Sequence, residues 1–466
     1  MRDTKRRIEA FSFYDHTGIE AHLEKMAAKG WLLERMTGFG WVYRRIEPGR
    51  VKFTVTYYPR ASEFDPEPSE QQKTFYDFCQ HSGWEIAASL GQMQVFYNER
   101  ENPVPIDTDA VLEVENIHNS ARRGYLPAYF VLLAIAFFQG FLVVQRFRQD
   151  AVGLLVETSN LFTIFCWLIL CVLCLAELSG YFRWHRKARR AAEQGIFMDT
   201  WGHGRLAVFL LAALLAATVY WLFSLGEDYE RMIGLFSMFS IFLLILLVNV
   251  IKLLLKKKRV SAGINRTITI VSCIVLSIAV TGGLTALAIT GVKNGFFEKL
   301  EKKAPEVYAY KGVTFSVYHH ELPLRVEDLR DSDYGEYSTF WKARESSPFL
   351  AQYEAAQRPR MDALEEPALE YTVTKVKIPL LSDWCFRQIF RKYDHYTKEQ
   401  PEEYREHYVE TDAALWGADA SYRMYYGETP RNQYLVCWEN RIAELNADWE
   451  LTPEQMMLAG EKLREI

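Results

Sequence analysis

The chain has 466 residues, a formal net charge of −5, and 49% hydrophobic and 24% charged residues. It carries no overall basic excess, so nucleic acid is not expected as a direct partner. Its mean hydropathy of −0.12 has the look of a soluble protein only because two polar ends dilute an apolar middle.

The opening run Met1-Arg2-Asp3-Thr4-Lys5-Arg6-Arg7 is basic but leads into a short strand-like stretch without an apolar core segment or a small-residue cleavage site. No cleaved signal peptide is expected. The next hundred residues repeat a pattern of aromatic strand, helix, Gly-Trp, strand, turn and strand. In the first unit Phe11-Ser12-Phe13-Tyr14 is the expected strand. A helix capped by Thr17 with Glu20 follows, carrying Ile19, Leu23, Met26 and Ala27 on one face and stopping at Gly30 before Trp31. In the second unit Val55 to Tyr58 is the strand, Phe75, Phe78 and Cys79 are the helix stripe, and Gly83 is the stop before Trp84. Trp31 to Tyr43 and Trp84 to Phe96 have the same spacing, so residues 1–120 are predicted as an α+β domain built as a tandem βαββ repeat. Either the two halves bind something between them, or Trp31 and Trp84 are simply core anchors.

The run Leu23-Glu24-Lys25-Met26-Ala27-Ala28-Lys29-Gly30-Trp31-Leu32-Leu33, with Gly83-Trp84-Glu85, resembles an uncharacterised bacterial family that places such a Gly-Trp-bearing domain of unknown function ahead of several membrane spans. The resemblance covers about residues 8 to 100. Genes of that family often lie beside PadR-type regulators, which implies regulated membrane biology. It implies no activity and no site residues.

Five apolar stretches follow: Tyr125 to Val144, Leu161 to Gly180, Leu206 to Leu225, Met232 to Leu255 and Ile268 to Ile289. Each is long enough to cross a bilayer, which takes about 20 residues at about 1.5 Å per residue. Residues 121–292 are therefore predicted as an α-helical bundle of five transmembrane helices. Lys and Arg crowd the second-to-third and fourth-to-fifth connections, which makes those loops cytoplasmic and puts the N-terminus inside and the C-terminus outside. Arg122 and Arg123 agree, whereas Arg146 and Arg148 dissent.

Ionisable groups inside the spans are scarce, and Glu177 is the one carboxylate there, beside uncharged Gln139 and Asn249. A proton-coupled carrier would place several such groups near the midplane. Cys273, Ser277 and Thr281, and the alanines around Ala212 and Ala216, read as helix-packing surfaces. Cys171 and Cys174 have redox-pair spacing, but burial in lipid would keep them inert. Arg183, Arg186, Lys187 and Arg190 recur at helical spacing beyond the second span and either contact anionic lipid headgroups or only set topology.

Residues 293–466 are predicted as an extracytoplasmic α+β domain. Strands are expected at Val307 to Tyr310, Val313 to His319 and Tyr371 to Ile378, and a helix carries Phe386, Ile389, Phe390 and Tyr393. A hairpin joins Tyr422–Tyr426 to Gln433–Trp438 around Glu428-Thr429-Pro430-Arg431, and Thr452, Pro453 and Gln455 start a closing helix. Cys385 and Cys437 are a candidate disulfide on the oxidising side. His319, His320 and Glu321, or Asp394, His395 and His407, lack recognised metal spacing and read as surface residues.

Catalytic residues, cofactors and metals are not assigned. The expected class is a non-enzymatic signalling or binding protein in the cell membrane. Its expected partners are membrane lipids, a cytoplasmic regulatory protein, an external ligand and a second copy of the chain. A transporter or transporter subunit, and an enzyme with its site in the C-terminal domain, are the alternatives.

Overall fold

The computed structural model describes residues 3–37, 40–225, 228–293, 306–317, 320–331, 337–397, 401 and 404–466. The chain divides into two compact units. One takes Met1–Gln139, Cys166–Ala216 and Phe236–Ala286, and the other takes Gly140–Phe165, Ala217–Leu235 and Leu287–Ile466.

The first unit opens with β1 (Thr4–Arg7), α1 (His16–Ala27), β2 (Trp31–Thr37) and β3 (Gly40–Arg45), whose strands form an antiparallel sheet in the order β1-β3-β2. It continues with β4 (Lys52–Tyr57), α2 (Glu70–His81), β5 (Glu85–Leu90) and β6 (Met93–Asn98), whose sheet runs β4-β6-β5. The apolar face of α1 explains its helix: Ile19, Leu23, Met26 and Ala27 are all buried. Gly30 and Gly83 have φ of 79° and 87° and turn the chain from each helix into the following strand. A Cβ at Gly30 would also come within 2.8 Å of the Ile46 carbonyl, so glycine answers both conformation and space there.

Three local expectations are corrected. Phe11–Tyr14 is not a strand: β1 lies earlier, at Thr4–Arg7, and Phe11 and Phe13 leave ladder geometry to pack against the core while Tyr14 is fully buried. Thr17 and Glu20 do not form a capping box. Thr17 bonds Thr200 and Glu20 accepts the Val55 amide, so tertiary partners take both side chains away from the helix end. Phe78 is 63% exposed, and only Phe75 and Cys79 of the expected stripe face the small cluster around Trp84 and Phe96. Trp84 is a core anchor, whereas Trp31 is partly exposed under the cations of Lys5 and Arg45.

A helix not expected from the sequence, α3 (Ala110–Arg123), is capped by Asp109 and leads into α4 (Tyr125–Gln149). After the short α5 (Ala151–Val156) come α6 (Thr158–Ala192), α7 (Gly204–Ser224), α8 (Asp228–Lys257) and α9 (Ala262–Lys293). Of these, α4, α6, α7, α8 and α9 are long and apolar enough to cross a membrane, and the chain is a multi-pass membrane protein. The C-terminal half of α3, the start of α4 and the C-terminal half of α6 enter the soluble core: Ile117, Leu126, Leu178, Tyr181, Trp184 and Ala188 are buried with α1 and the strands.

The second unit holds the hairpin of β7 (Glu306–Tyr310) and β8 (Val313–Val317), then a seven-stranded antiparallel sheet in the order β12-β13-β14-β15-β11-β10-β9. Its strands are β9 (Tyr337–Ser346), β10 (Leu350–Pro359), β11 (Leu369–Val376), β12 (Glu406–Thr411), β13 (Ala420–Tyr426), β14 (Thr429–Trp438) and β15 (Arg441–Ala447). Helices α10 (Val326–Leu329), α11 (Ser382–Thr397) and α12 (Pro453–Arg464) accompany it. Alternation along β14 divides the two faces. Tyr434, Val436 and Trp438 join the core under α10 and α12, whereas Leu435 and Cys437 join Cys385 and Ile389 of α11 on the other face. Val152 and Val156 of α5 enter that second cluster, so the α4–α6 connection is part of the C-terminal fold. The Thr452–Gln455 capping box forms. The expected hairpin turn is tighter than expected, because Gly427, at φ 57°, lets β14 begin at Thr429.

Candidate functional site

Among the described residues, Glu177 is the one carboxylate deep in an apolar helix, and its burial at 4% exposure demands partners. Ser12 Oγ donates to Glu177 Oε1 at 2.9 Å, and the Tyr125 hydroxyl donates to Oε2 at 3.0 Å. Ser12 Oγ in turn accepts the His203 backbone N–H at 2.9 Å. One side chain therefore joins the start of α4, the middle of α6, the segment before α1 and the segment before α7. Hydrogen bonds to a charged group contribute about 1.5–3 kcal/mol each, and a buried carboxylate left alone costs more.

A second set of bonds runs beside the first. Thr200 Oγ1 donates to Asp15 Oδ1 at 3.0 Å, the Thr200 amide donates to Thr17 Oγ1 at 2.8 Å, and the Thr17 amide donates back to Thr200 Oγ1 at 3.1 Å. Such close approach requires glycine. A Cβ at Gly180 would lie 2.2 Å from His203 Cε1, one at Gly202 would lie 2.5 Å from the Asp15 carboxylate, and one at Gly204 would lie 2.0 Å from the Ala10 carbonyl oxygen. Aromatic rings close the rest: Tyr14 stacks on Trp184 at 5.5 Å, and Phe13 stacks on Tyr125 at 5.3 Å. Burial, with Glu177 and Asp15 nearby, pushes the Tyr14 phenol well above its ordinary range.

On the α3 side, His16 Nε2 lies 2.8 Å from Glu113 Oε1 and its ring meets Trp184 edge to face. Burial opposes the imidazolium, but the Glu113 hydrogen bond and charge, with Glu20 beyond, outweigh it and hold His16 above its ordinary value. Burial pushes the Glu20 carboxyl up to about 7 against the pull of His16, and burial with Glu113 pushes Asp107 up to about 6. Further along, the rings of His118 and His185 stack at 4.2 Å, with His118 Nδ1 2.8 Å from the Tyr181 hydroxyl. Burial, then Arg122 and Arg189, lower His118.

The residues singled out in the sequence distribute as follows. Arg183, Arg186, Lys187 and Arg190 are all exposed, on the side of α6 away from buried Tyr181, Trp184 and Ala188. Arg183 Nε donates to the Ser179 carbonyl, and Lys187 Nζ sits 5.6 Å from the Trp201 ring. Asn249 is spent on the Ile245 carbonyl of its own helix. Cys385 and Cys437 stand as free thiols in one apolar cluster, where burial pushes them up to about 11 and about 12. Cys171 and Cys174 are also free. Among the described residues, no group of three or more His, Cys, Asp or Glu side chains gathers to hold a metal ion. His319 and the side chains of Asp394 and His395 lie outside the described residues.

Sequence reasoning noticed Glu177 but missed Ser12, Asp15, Thr200 and His203. Their only advance signal is the glycine pair of Gly202-His203-Gly204 ahead of an apolar span, which marks a close backbone approach without saying to what.

Residues 15–128 match the model of a family described as a protein of unknown function (DUF2812). The match runs from the residue before α1 to the first turn of α4. No curated protein matches the chain, and no solved structure matches it.

The raised carboxyl of Glu20 gives a signed expectation. A group that binds its proton more tightly when folded stabilises the fold below its unfolded value, here 4.5, and that contribution is lost as pH rises through about 7. In melts of the full chain in detergent, Glu20→Gln should match wild type near pH 5 and melt a few degrees above it near pH 8. A difference independent of pH would contradict this reading.

Proposed function

We propose that this chain is a non-enzymatic membrane regulator in which spans α4 and α6 couple two soluble folds. The observation that carries the reading is shared helices. The start of α4 and the C-terminal half of α6 supply Leu126, Leu178, Tyr181 and Trp184 to the N-terminal core, and the α5 link between the same two helices supplies Val152 and Val156 to the C-terminal core. A displacement of this helix pair strains packing in both folds, and packed cores switch between arrangements rather than deform continuously.

The N-terminal module reads as a tandem βαββ repeat. Its support is the element order β1-α1-β2-β3 followed by β4-α2-β5-β6, the matching sheet orders β1-β3-β2 and β4-β6-β5, and the paired turns at Gly30 and Gly83. The basic connections after α6 and α8 favour a cytoplasmic N-terminal domain (residues 1–120) and, with five spans (121–292), an extracytoplasmic C-terminal domain (293–466). The exposed Arg183, Arg186, Lys187 and Arg190 then lie where anionic headgroups are found. On this reading the N-terminal module meets a cytoplasmic regulatory protein and the C-terminal domain an external ligand. A second copy of the chain is a further expected partner, and Cys385 with Cys437 remains a candidate disulfide once oxidised.

Two measurements test the proposal. A reporter fused after Ile466 should be active as alkaline phosphatase and dark as a cytoplasm-dependent fluorescent protein; the reverse pattern would place both domains on one side and end the transmembrane reading. Coupling is read by hydrogen exchange of the full chain in nanodiscs. Val156→Ala, a cavity in the C-terminal core, should speed exchange in α1 and in Leu178–Ala188 as well as locally. Exchange changed only within residues 306–466 would show that the helix pair transmits nothing.

A further inference from the structure

A second feature of the first unit is unrelated to the Glu177 junction. An open cleft of about 610 Å³ lies between the β1-β3-β2 sheet, the segment around residues 61–68 and the basic end of α8, and Arg6, Arg35, Met36, Lys252, Leu253 and Lys256 are among its lining residues. Arg6 and Arg35 both oppose Val42, one from β1 and one from β2. Directly opposed residues share a face, so the two guanidinium groups project from the same side of the sheet, from backbones roughly 10 Å apart across two strand spacings.

The charges of the cleft do not cancel. Glu63 is taken by Lys252 at 3.1 Å, Glu67 by Arg259 at 2.8 Å, and Asp65 accepts the Ser62 amide. Lys256 Nζ donates to the Glu63 carbonyl at 3.1 Å and forms no ion pair with a described residue. Arg6 and Arg35 are exposed and form no ion pair with any described residue. The wall that completes the cleft belongs to a membrane helix, where Leu253, 60% exposed on α8, is the apolar residue among Asn249, Lys252 and Lys256. Two unpaired forks and an ammonium beside such a wall match an anion that carries an acyl chain, because guanidinium pairs bind phosphate oxygens bidentately and Leu253 offers a surface for the chain.

We propose that this cleft binds the phosphate of an anionic phospholipid, with Arg6 and Arg35 on the phosphate oxygens, Lys256 on the headgroup and the first acyl carbons against Leu253. The shared chemistry is a phosphate ester, and its alternative source is a soluble phosphate ester. The test is native mass spectrometry of the full chain released from detergent with phosphatidylglycerol or phosphatidylcholine. Wild type should retain phosphatidylglycerol in preference, and Arg6→Gln/Arg35→Gln should weaken that retention by about tenfold while its melting temperature in phosphatidylcholine stays at the wild-type value. Arg183→Gln/Arg186→Gln, a variant of the separate α6 stripe, should keep the tightest site.

Millimolar glycerol 3-phosphate should not displace the lipid. If it does, the site takes soluble phosphate esters and the lipid assignment is overturned. Equal retention of the two lipids by wild type, unchanged phosphatidylglycerol retention in the Arg6/Arg35 variant, or loss confined to the Arg183/Arg186 variant would each overturn the site itself.

Discussion

A carboxylate buried at Glu177 constrains everything around it. A carboxyl group buried in an apolar helix must be met by donors, and the donors here come from outside that helix: the Ser12 hydroxyl from the segment before α1 and the Tyr125 hydroxyl from the start of α4. Satisfying the charge therefore fixes where the N-terminal module sits on the spans that carry it. The glycines at 180, 202 and 204 follow from that constraint, because the segments that bring Ser12 and Asp15 into place pass too close for a side chain. Tyr14, Tyr181 and Trp184 pack on one another in the same core and are themselves fully buried. An intramembrane carboxylate invites a transport reading, but this one has its oxygens engaged by two hydroxyl donors, and its visible work is to hold an assembly together.

The attachment of the C-terminal fold uses different physics. Val152 and Val156 carry no charge to satisfy, and they join a cluster of Leu350, Val376, Cys385, Ile389, Leu435 and Ile442 by burial alone. One attachment centres on a buried carboxylate, the other on an apolar cluster beside which Thr158 Oγ1 donates to the Ser346 carbonyl at 2.8 Å.

Much of the architecture was legible in the sequence for definite reasons. The five spans announce themselves because hydrocarbon demands long apolar runs, and Gly30 and Gly83 mark helix ends because only glycine takes positive φ cheaply. The Thr452 cap was readable because every partner lies within one turn. What escaped depends on distant partners. Thr17 and Glu20 look like a capping box until Thr200 and Val55 claim them, and Phe11–Tyr14 looks like a strand until its aromatic side chains are seen to serve the core instead. The short α5 was hidden between two spans, where six residues give too little periodicity to read. Glu177 stood out as an anomaly, but its partners Ser12 and Tyr125 lie 165 and 52 residues away, and no local pattern points to either.

The most direct test of the account is a double-mutant cycle on the full chain, with Ser12→Ala, Glu177→Gln and the pair compared by equilibrium unfolding of the N-terminal module in detergent. The account predicts a coupling energy of about 1–3 kcal/mol between the two positions, as expected for a buried hydrogen bond to a charged group. Additive effects, within about 0.5 kcal/mol, would mean that Glu177 does not hold the module to the membrane helices, and the central claim would fall.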